Sequence, residues 1–579
     1  MKMCGAKSLC AFYPLLSLVL VLPGVAISQS GITANENYDP HIRHRSLVGP
    51  VDGNVAFGDR TDFSSGATSF YVTVLSVPGN NELEVALRYK YVRNRDFLQN
   101  TAASTWERDD PYITGDFSKR AGWVLGNGSV PTTSRTTSRC SMPTGYATPP
   151  VLPSDNDRPA EYYPHEYWSG YRLVLPRGQG ALVNPLANAP APPDVPSLGG
   201  PYKWATNDGW FFSCIPLKNG VGEGFLAHSP DGSKYFFDDY RLGPELAPID
   251  KLNGFGQDVT FQRQEIRIYA SRIEDRFGNH VEGLSGSDGR VINVTASGAV
   301  VQASSSGRQW SVSIGNPFVV TYPDGSQWKL QSNWQIFPTQ YPYGGPGQFC
   351  SATNPPVSAA GNGTITVTLP SGAIGTFSFT PVLRGYSYVP LRCMNPEGMN
   401  PPYVVDPSRV TEISLTRKSV SGPGLGSYWS QITYGPPNDC YAAGYQPATC
   451  TASSPTTVAT TVTRSDGTST LYTYGNRYRV NQGLLLRQEE RQGSSQTLSV
   501  ETREWRVFDG IGVSSLGQYS QAGSLGSVMR PALSKRVLNQ QGRIFTWQVA
   551  TDCGSNSASP CFDLHARPTK IVRSSQPAP

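Results

Sequence analysis

The 579-residue chain is poor in charge, in histidine and in long apolar runs, and each shortage removes a class of function. Charged residues make up 16%, and the formal net charge is only +5, without the clustered basic stripe that marks a nucleic-acid partner. After residue 28 no stretch approaches the roughly 20 consecutive apolar residues that cross a bilayer as a helix. The strands of a membrane barrel only alternate, so that shortage does not address them. The six histidines, His41, His44, His165, His228, His280 and His565, form no HExxH and join no Cys/His cluster, so no metal centre is expected. No GxxxxGK[ST] occurs, which removes a P-loop, and no cofactor is expected. GLSGSDG at 283–289 is rich in glycine and serine but reads as a loop ahead of a strand, not as the GxSxG elbow of a hydrolase. No CxxC pair occurs, which removes redox-motif and zinc-ribbon readings.

The N-terminus has what a secretory signal needs. Lys2 and Lys7 precede an apolar run that ends small-x-small at Ala26 and Ser28, so residues 1–28 are expected to be a signal peptide cleaved after Ser28. Cys4 and Cys10 lack the small residues of a lipoprotein signal. Eight cysteines follow: Cys140, Cys214, Cys350, Cys393, Cys440, Cys450, Cys553 and Cys561. In an exported chain these suggest up to four disulfides, with Cys440–Cys450 and Cys553–Cys561 as the short loops expected to close. A secreted, periplasmic or cell-surface location follows from the leader and the cysteines together.

Glycine and proline are abundant, at 59 and 48 residues, and the composition is that of a turn-rich globular chain, not a disordered one. Nearly every recognisable element is a short alternating run ending in a turn signal, and long helical periodicity is almost absent, so the fold is expected to be all-β. Several antiparallel meander-like or sandwich-like sheets with long disulfide-restrained loops fit this pattern. In residues 69–92, Phe70, Val72 and Val74 share one strand face; Leu83, Val85, Leu87 and Tyr89 share another, with PGNN between the two strands.

One unit recurs: SPDGSKYFFD at 229–238, YPDGSQWKL at 322–330 and RSDGTSTLYTYG at 464–475. Asp-Gly supplies the positive φ of a two-residue hairpin, and the following alternate apolar residues bury one face. Gly79, Gly232, Gly325 and Gly467 are therefore expected to permit tight turns, with Asp231, Asp324 and Asp466 accepting local backbone hydrogen bonds beside three of them. Irregular spacing of the unit argues for a long meander and against a strict propeller or solenoid.

The Pro/Ala-rich stretch 184–201 reads as an extended linker. It divides an N-terminal β domain (29–183) from a β-meander domain (202–337), and a loop-rich β region (338–579) follows. For chemistry, Asp109 with Asp110, Glu161 with Glu166, and Asp238 with Asp239 are the paired carboxylates. Adjacent acids on a strand point to opposite faces, which makes the two Asp pairs poor acid/base partners, and no enzymatic activity is expected. In EYYPHEYW, Tyr162, Tyr163, Tyr167 and Trp168 surround His165, the composition of a stacked sugar or protein contact. Two competing function classes thus stand beside a structural role: a carbohydrate-binding module using those aromatics, and a hydrolase whose site is not identified.

The ordered series GATSF (66–70), PGNNELEV (78–85), WERDDPYITGDF (106–117), KWATNDGWFFSC (203–214), SPDGSKYFFD and RIEDRFGNHVEG (272–283) resembles the N-terminal region of large secreted bacterial RHS/YD-repeat, or wall-associated, proteins. The likeness is intermittent from 30 to about 290 and weaker beyond, and RPTKIVRSS at 567–575 resembles the first strand of a repeat array. No extended array and no C-terminal toxin module is present. The resemblance implies an exported structural protein, the start or cap of an RHS-type β shell, acting in surface presentation or delivery in bacterial competition or adhesion. Its implied partner is a downstream RHS-repeat/toxin polypeptide or a cell-surface component.

Overall fold

The structure, a computed structural model, describes residues 57–578 except 94–103, 127–136, 148–170, 186–195, 338–359, 395–402, 509–529 and shorter stretches between them. The chain is all-β, with several antiparallel sheets, and no helix among the described residues is long and apolar enough to cross a membrane. Residues 1–28 lie outside the described residues.

The first sheet has four antiparallel strands in chain order: Asp59–Thr61, Thr68–Val77, Val85–Arg93 and Ser104–Arg108. Its second hairpin follows the alternation in the sequence, with one difference. A bulge between Thr73 and Leu75 puts Leu75 opposite Leu87, so the row reads Phe70, Val72, Leu75 against Tyr91, Tyr89, Leu87. This apolar face packs on the largest sheet. Phe70 meets Phe377 edge-on at 4.9 Å, and Trp106 stacks on Phe318 at 4.0 Å.

That largest sheet is a sixteen-stranded antiparallel meander from Ile292–Val294 to Ile571–Pro577, in which spatial order follows chain order. The loop Asp62–Gly66 ties the first sheet to it. Phe63 stacks on Tyr472 at 5.1 Å, Arg384 donates to the carbonyls of Ser64 and Ser65, and the Leu415 amide donates to Gly66 O at 2.9 Å. Gly66 has φ +74, and a Cβ there would meet Ser414 and the Tyr434 hydroxyl at 2.4 Å. Only glycine meets both conditions.

In chain order between these two sheets comes one that closes on itself. Tyr112–Ser118, Tyr171–Leu175, Gln179–Pro185, Trp204–Ala205, Phe211–Pro216, Glu223–His228, Lys234–Leu252 and Asp258–Glu274 pair in a ring, because Lys234–Leu252 bonds both Glu223–His228 and Asp258–Glu274. Closure removes free edges among these eight strands. The core includes Ile113, Tyr171, Leu173, Phe212, Phe225, Phe237, Ile266 and Ile268. The strands on either side of the Pro/Ala-rich stretch, Gln179–Pro185 and Trp204–Ala205, pair with each other. Likewise Gln327–Phe337 pairs with Ala360–Thr368 across 338–359. At both places the connection runs within one sheet.

The polar face of the first sheet meets the outside of the barrel through buried charge. Lys90 Nζ lies 3.1 Å from Glu107 Oε1 and donates to the Tyr112 hydroxyl. Arg267 donates to Glu107 at 2.6 Å and to Glu265 at 3.0 Å, and Glu265 also accepts from Thr114 at 2.8 Å. Burial opposes the charge on Lys90, but Tyr112 and Glu107 outweigh it and hold the ammonium above its usual range.

Candidate interaction surface

The recurring Asp-Gly turns are present but are not two-residue hairpins. Gly232, Gly325 and Gly467 have φ of +88, +83 and +82, whereas Asp231, Asp324 and Asp466 are absent from the residues with positive φ. At Tyr322–Ser326 the Gly325 amide donates to Tyr322 O and the Tyr322 amide to Ser326 O, both at 2.9 Å. This closes a three-residue loop, a turn followed by a left-handed glycine bulge. The cause is the aspartate. Asp324 Oδ1 accepts from the Ser326 amide at 2.9 Å, Asp466 Oδ1 from Thr468 at 2.9 Å, and Asp231 Oδ1 from Ser233 at 2.9 Å. Each is the local ring that holds an Asp in an ordinary turn conformation. The Ser326 and Thr468 hydroxyls, each donating to the same carboxylate oxygen at 2.7 Å, together with these amides, hold the Asp324 and Asp466 carboxyls below their usual range. Two consecutive positive φ values occur instead at Gln541 (+51) and Gly542 (+72), joining the paired residues Gln540 and Arg543.

Gly79 is a second correction. It is not among the positive-φ glycines; a Cβ there would lie 2.2 Å from Cζ of Arg290. Arg290 Nη1 donates to Val77 O at 2.9 Å and Leu83 O at 3.0 Å, and Nε to Asp288 at 2.6 Å. Gly79 makes room for a side chain arriving from more than 200 residues away.

Both expected short disulfides form, Cys440–Cys450 and Cys553–Cys561, and a third joins Cys140 to Cys214 across 74 residues. Such bridges suit an oxidising, exported compartment. Cys350 lies outside the described residues. Cys393 begins the short strand Cys393–Met394. Asp552, Cys553 and Cys561 cluster closely, but the sulfurs are bonded to each other, which leaves no thiolate to hold a metal. Tyr162, Tyr163, Tyr167 and Trp168, with Glu161 and Glu166, lie outside the described residues. Asp109 accepts from the Arg177 amide at 2.6 Å while Asp110 pairs with Arg108, and Asp239 pairs with Arg241.

Among the described residues, the far end of the meander is an exposed surface. Glu489 accepts from Arg487 at 2.7 Å and Arg491 at 2.6 Å, and these bonds pull its carboxyl down to about 2. Glu501 is bracketed by Arg503 and Arg536 at 2.6 and 2.5 Å. Beyond them the burial pattern fades. All seven residues of Ile571–Pro577 are exposed, with Ile571 at 42%, Val572 at 43% and neighbouring Phe545 at 44%.

The outer edge of that strand can be read from its two ends. The Ala550 amide donates to Lys570 O at 2.9 Å and the Ala578 amide to Gly542 O at 2.7 Å. Since inward and outward backbone groups alternate in an antiparallel pair, residues 572, 574 and 576 also bond inward. Ile571, Arg573 and Ser575 therefore turn their N–H and C=O outward, as does the Pro577 carbonyl. Ile571 and Arg573 share a face with Phe545 and Trp547, through the pairings Ser575 with Phe545 and Arg573 with Trp547. The segment stands out in the sequence only by resemblance; its alternation does not tell that, among the described residues, its outer edge pairs with no other strand.

No protein-family model matches the chain, and no curated protein does. Among solved structures, the crystal structure of TcdB2-TccC3 without its hypervariable C-terminal region is matched at 10% identity and a TM-score of 0.20. The match covers 88% of this chain and 29% of that one; this chain thus aligns with under a third of that protein's length.

Proposed function

We propose that the chain is an exported structural and interaction protein, the front part of an RHS/YD-like assembly. In this reading its large sheet is continued at Ile571–Pro577 by a partner polypeptide, for surface presentation or delivery in bacterial competition or adhesion. The observation that supports this reading is the sixteen-stranded meander in chain order, ending in a fully exposed strand. Such an edge is a template for one more strand. Residues 485–579 hold eleven Lys and Arg against seven Asp and Glu, so the partner segment should be extended, apolar at alternate positions and neutral or acidic.

Sequencing across codon 579 of the gene identifies candidate partners, whose products are then co-expressed with the chain. The reading expects co-purification that is lost in the Arg573→Pro, Ser575→Pro variant. These prolines remove outward donors and leave the inward ladder of Val572, Ser574 and Gln576 in place. Co-purification unaffected by the prolines, or absence of any associating polypeptide, overturns it.

A further inference from the structure

Lys418 occupies a position where an apolar residue is expected. Its cross-strand partner is Phe377, which is fully buried in the main core, and its ammonium lies 5.3 Å from the Phe377 ring and 6.0 Å from the Phe57 ring. Lys418 Nζ is 2.7 Å from Asp59 Oδ2, and the two side chains are 9% and 7% exposed. The pair joins two sheets, with Asp59 on the first strand of the four-stranded sheet and Lys418 on Arg409–Gly422 of the meander.

Between aromatic rings an ammonium and a carboxylate lose most of their hydration. Condensation of the two requires one proton to pass from the nitrogen to the carboxyl, which puts an amine lone pair beside an acid 2.7 Å away. Two sheets packed on one core hold nitrogen and carboxyl together, and well-oriented groups of this kind reach effective molarities of about 10⁵–10⁸ M. Condensation that is unfavourable between separate molecules in water becomes accessible, and the apolar surroundings favour expulsion of the water formed.

We propose that Asp59 and Lys418 are the site of an intramolecular isopeptide bond. The Nζ lone pair attacks Asp59 Cγ and a carbon–oxygen bond breaks. The oxygen departs as water, carrying one proton from the nitrogen and one from the acid. The product is a secondary amide, and the step requires no oxidant, reductant or second substrate. It ties residues 359 positions apart, fastening the N-terminal sheet to the meander by a bond that reducing agents do not cleave.

The test is mass spectrometry of the whole exported chain after reduction of its disulfides. The expected mass is that of the mature sequence less one water, with a branched tryptic peptide joining the Asp59 segment to the Lys418 segment. Asp59→Asn is expected to form the same branch with loss of ammonia in place of water; Lys418→Met is expected to have full mass and no branch. Wild type at full mass overturns the proposal. So does a loss of water carried by an unbranched peptide, which would mark dehydration at an Asp-Gly step instead.

Discussion

Gly79→Ala is the substitution that best separates two roles for a glycine in a hairpin. If Gly79 served the backbone of the turn, alanine would cost little, because the residue does not have a positive φ. The contact with Arg290 gives a different answer. An added Cβ would stand 2.2 Å from the guanidinium carbon, so the guanidinium must move. Doing so breaks its bonds to Val77 O and Leu83 O. Hydrogen bonds involving a charged group contribute about 1.5–3 kcal/mol each. Val77 and Leu83 are half-buried and regain some water, so the combined loss should be about 2–3 kcal/mol. Arg290→Ala should cost a similar amount. In the Arg290→Ala background, Gly79→Ala should then cost under about 0.5 kcal/mol, a coupling that only a shared interaction produces. Hydrogen exchange at the Val77 and Val85 amides reads the local opening free energy directly. Additive losses, or a single Gly79→Ala variant with unchanged protection, would refute the Arg290 explanation.

Other expected outcomes follow from loop length, charge and turn type. Replacing both Cys140 and Cys214 by Ala should cost about 4.5 kcal/mol, against about 2.7 for the Cys440–Cys450 pair, since the closed loops span 74 and 10 residues; equal shifts in urea midpoint would contradict the chain-entropy logic. Glu489 has a folded-state value below its ordinary one. Its contribution is therefore complete above the ordinary carboxylate range and is lost as pH falls through about 2. Exchange protection in Leu485–Gln492 should decline between about pH 4.5 and 2 for this reason, and Glu489→Gln should flatten that decline; an identical profile in the variant would count against it. Gln541→Asn should stabilise the last hairpin by about 0.5–1 kcal/mol, because asparagine tolerates the left-handed conformation that glutamine is held in there. A loss of stability would show that the Gln541 side chain has a role of its own.

How much of this was legible in the sequence depends on the range of the interaction. The alternation that defines Thr68–Val77 and Val85–Arg93 is local, and the face it marks is the buried one. The Asp-Gly turns are local in the same way, and the glycine of each has a positive φ. The dipeptide fits both a two-residue and a three-residue hairpin, and the Asx bond to the residue two places on selects the second. The short disulfides were legible from spacing, while Cys140–Cys214 needed the barrel to bring Phe211–Pro216 beside residue 140. Closure of the barrel itself was not legible. It depends on one long strand, Lys234–Leu252, finding partners on both edges, and a strand pattern does not state how many edges it fills.

The buried charges show the limit most clearly. Alternation says that Arg88 and Lys90 share a face and that Tyr89 and Tyr91 share the opposite one, and polarity then assigns the first pair to water. The first sheet is instead covered on both sides. Its apolar face meets the meander, and its polar face meets Arg267 and Tyr112 on the barrel, so Lys90 is a contact residue with the sequence signature of a solvated one. The Asp59–Lys418 pair has the same character from the other direction: Lys418 is a charged residue, yet it lies in the row that carries Ile413 and Leu415 into the core. Neither member of Lys90–Glu107 or of Asp59–Lys418 can be left without the other, because a lone charge in such a place is strongly destabilising. That requirement fixes how the small sheet sits between barrel and meander more narrowly than apolar contact does, since apolar faces tolerate small displacements and an unmatched buried charge does not.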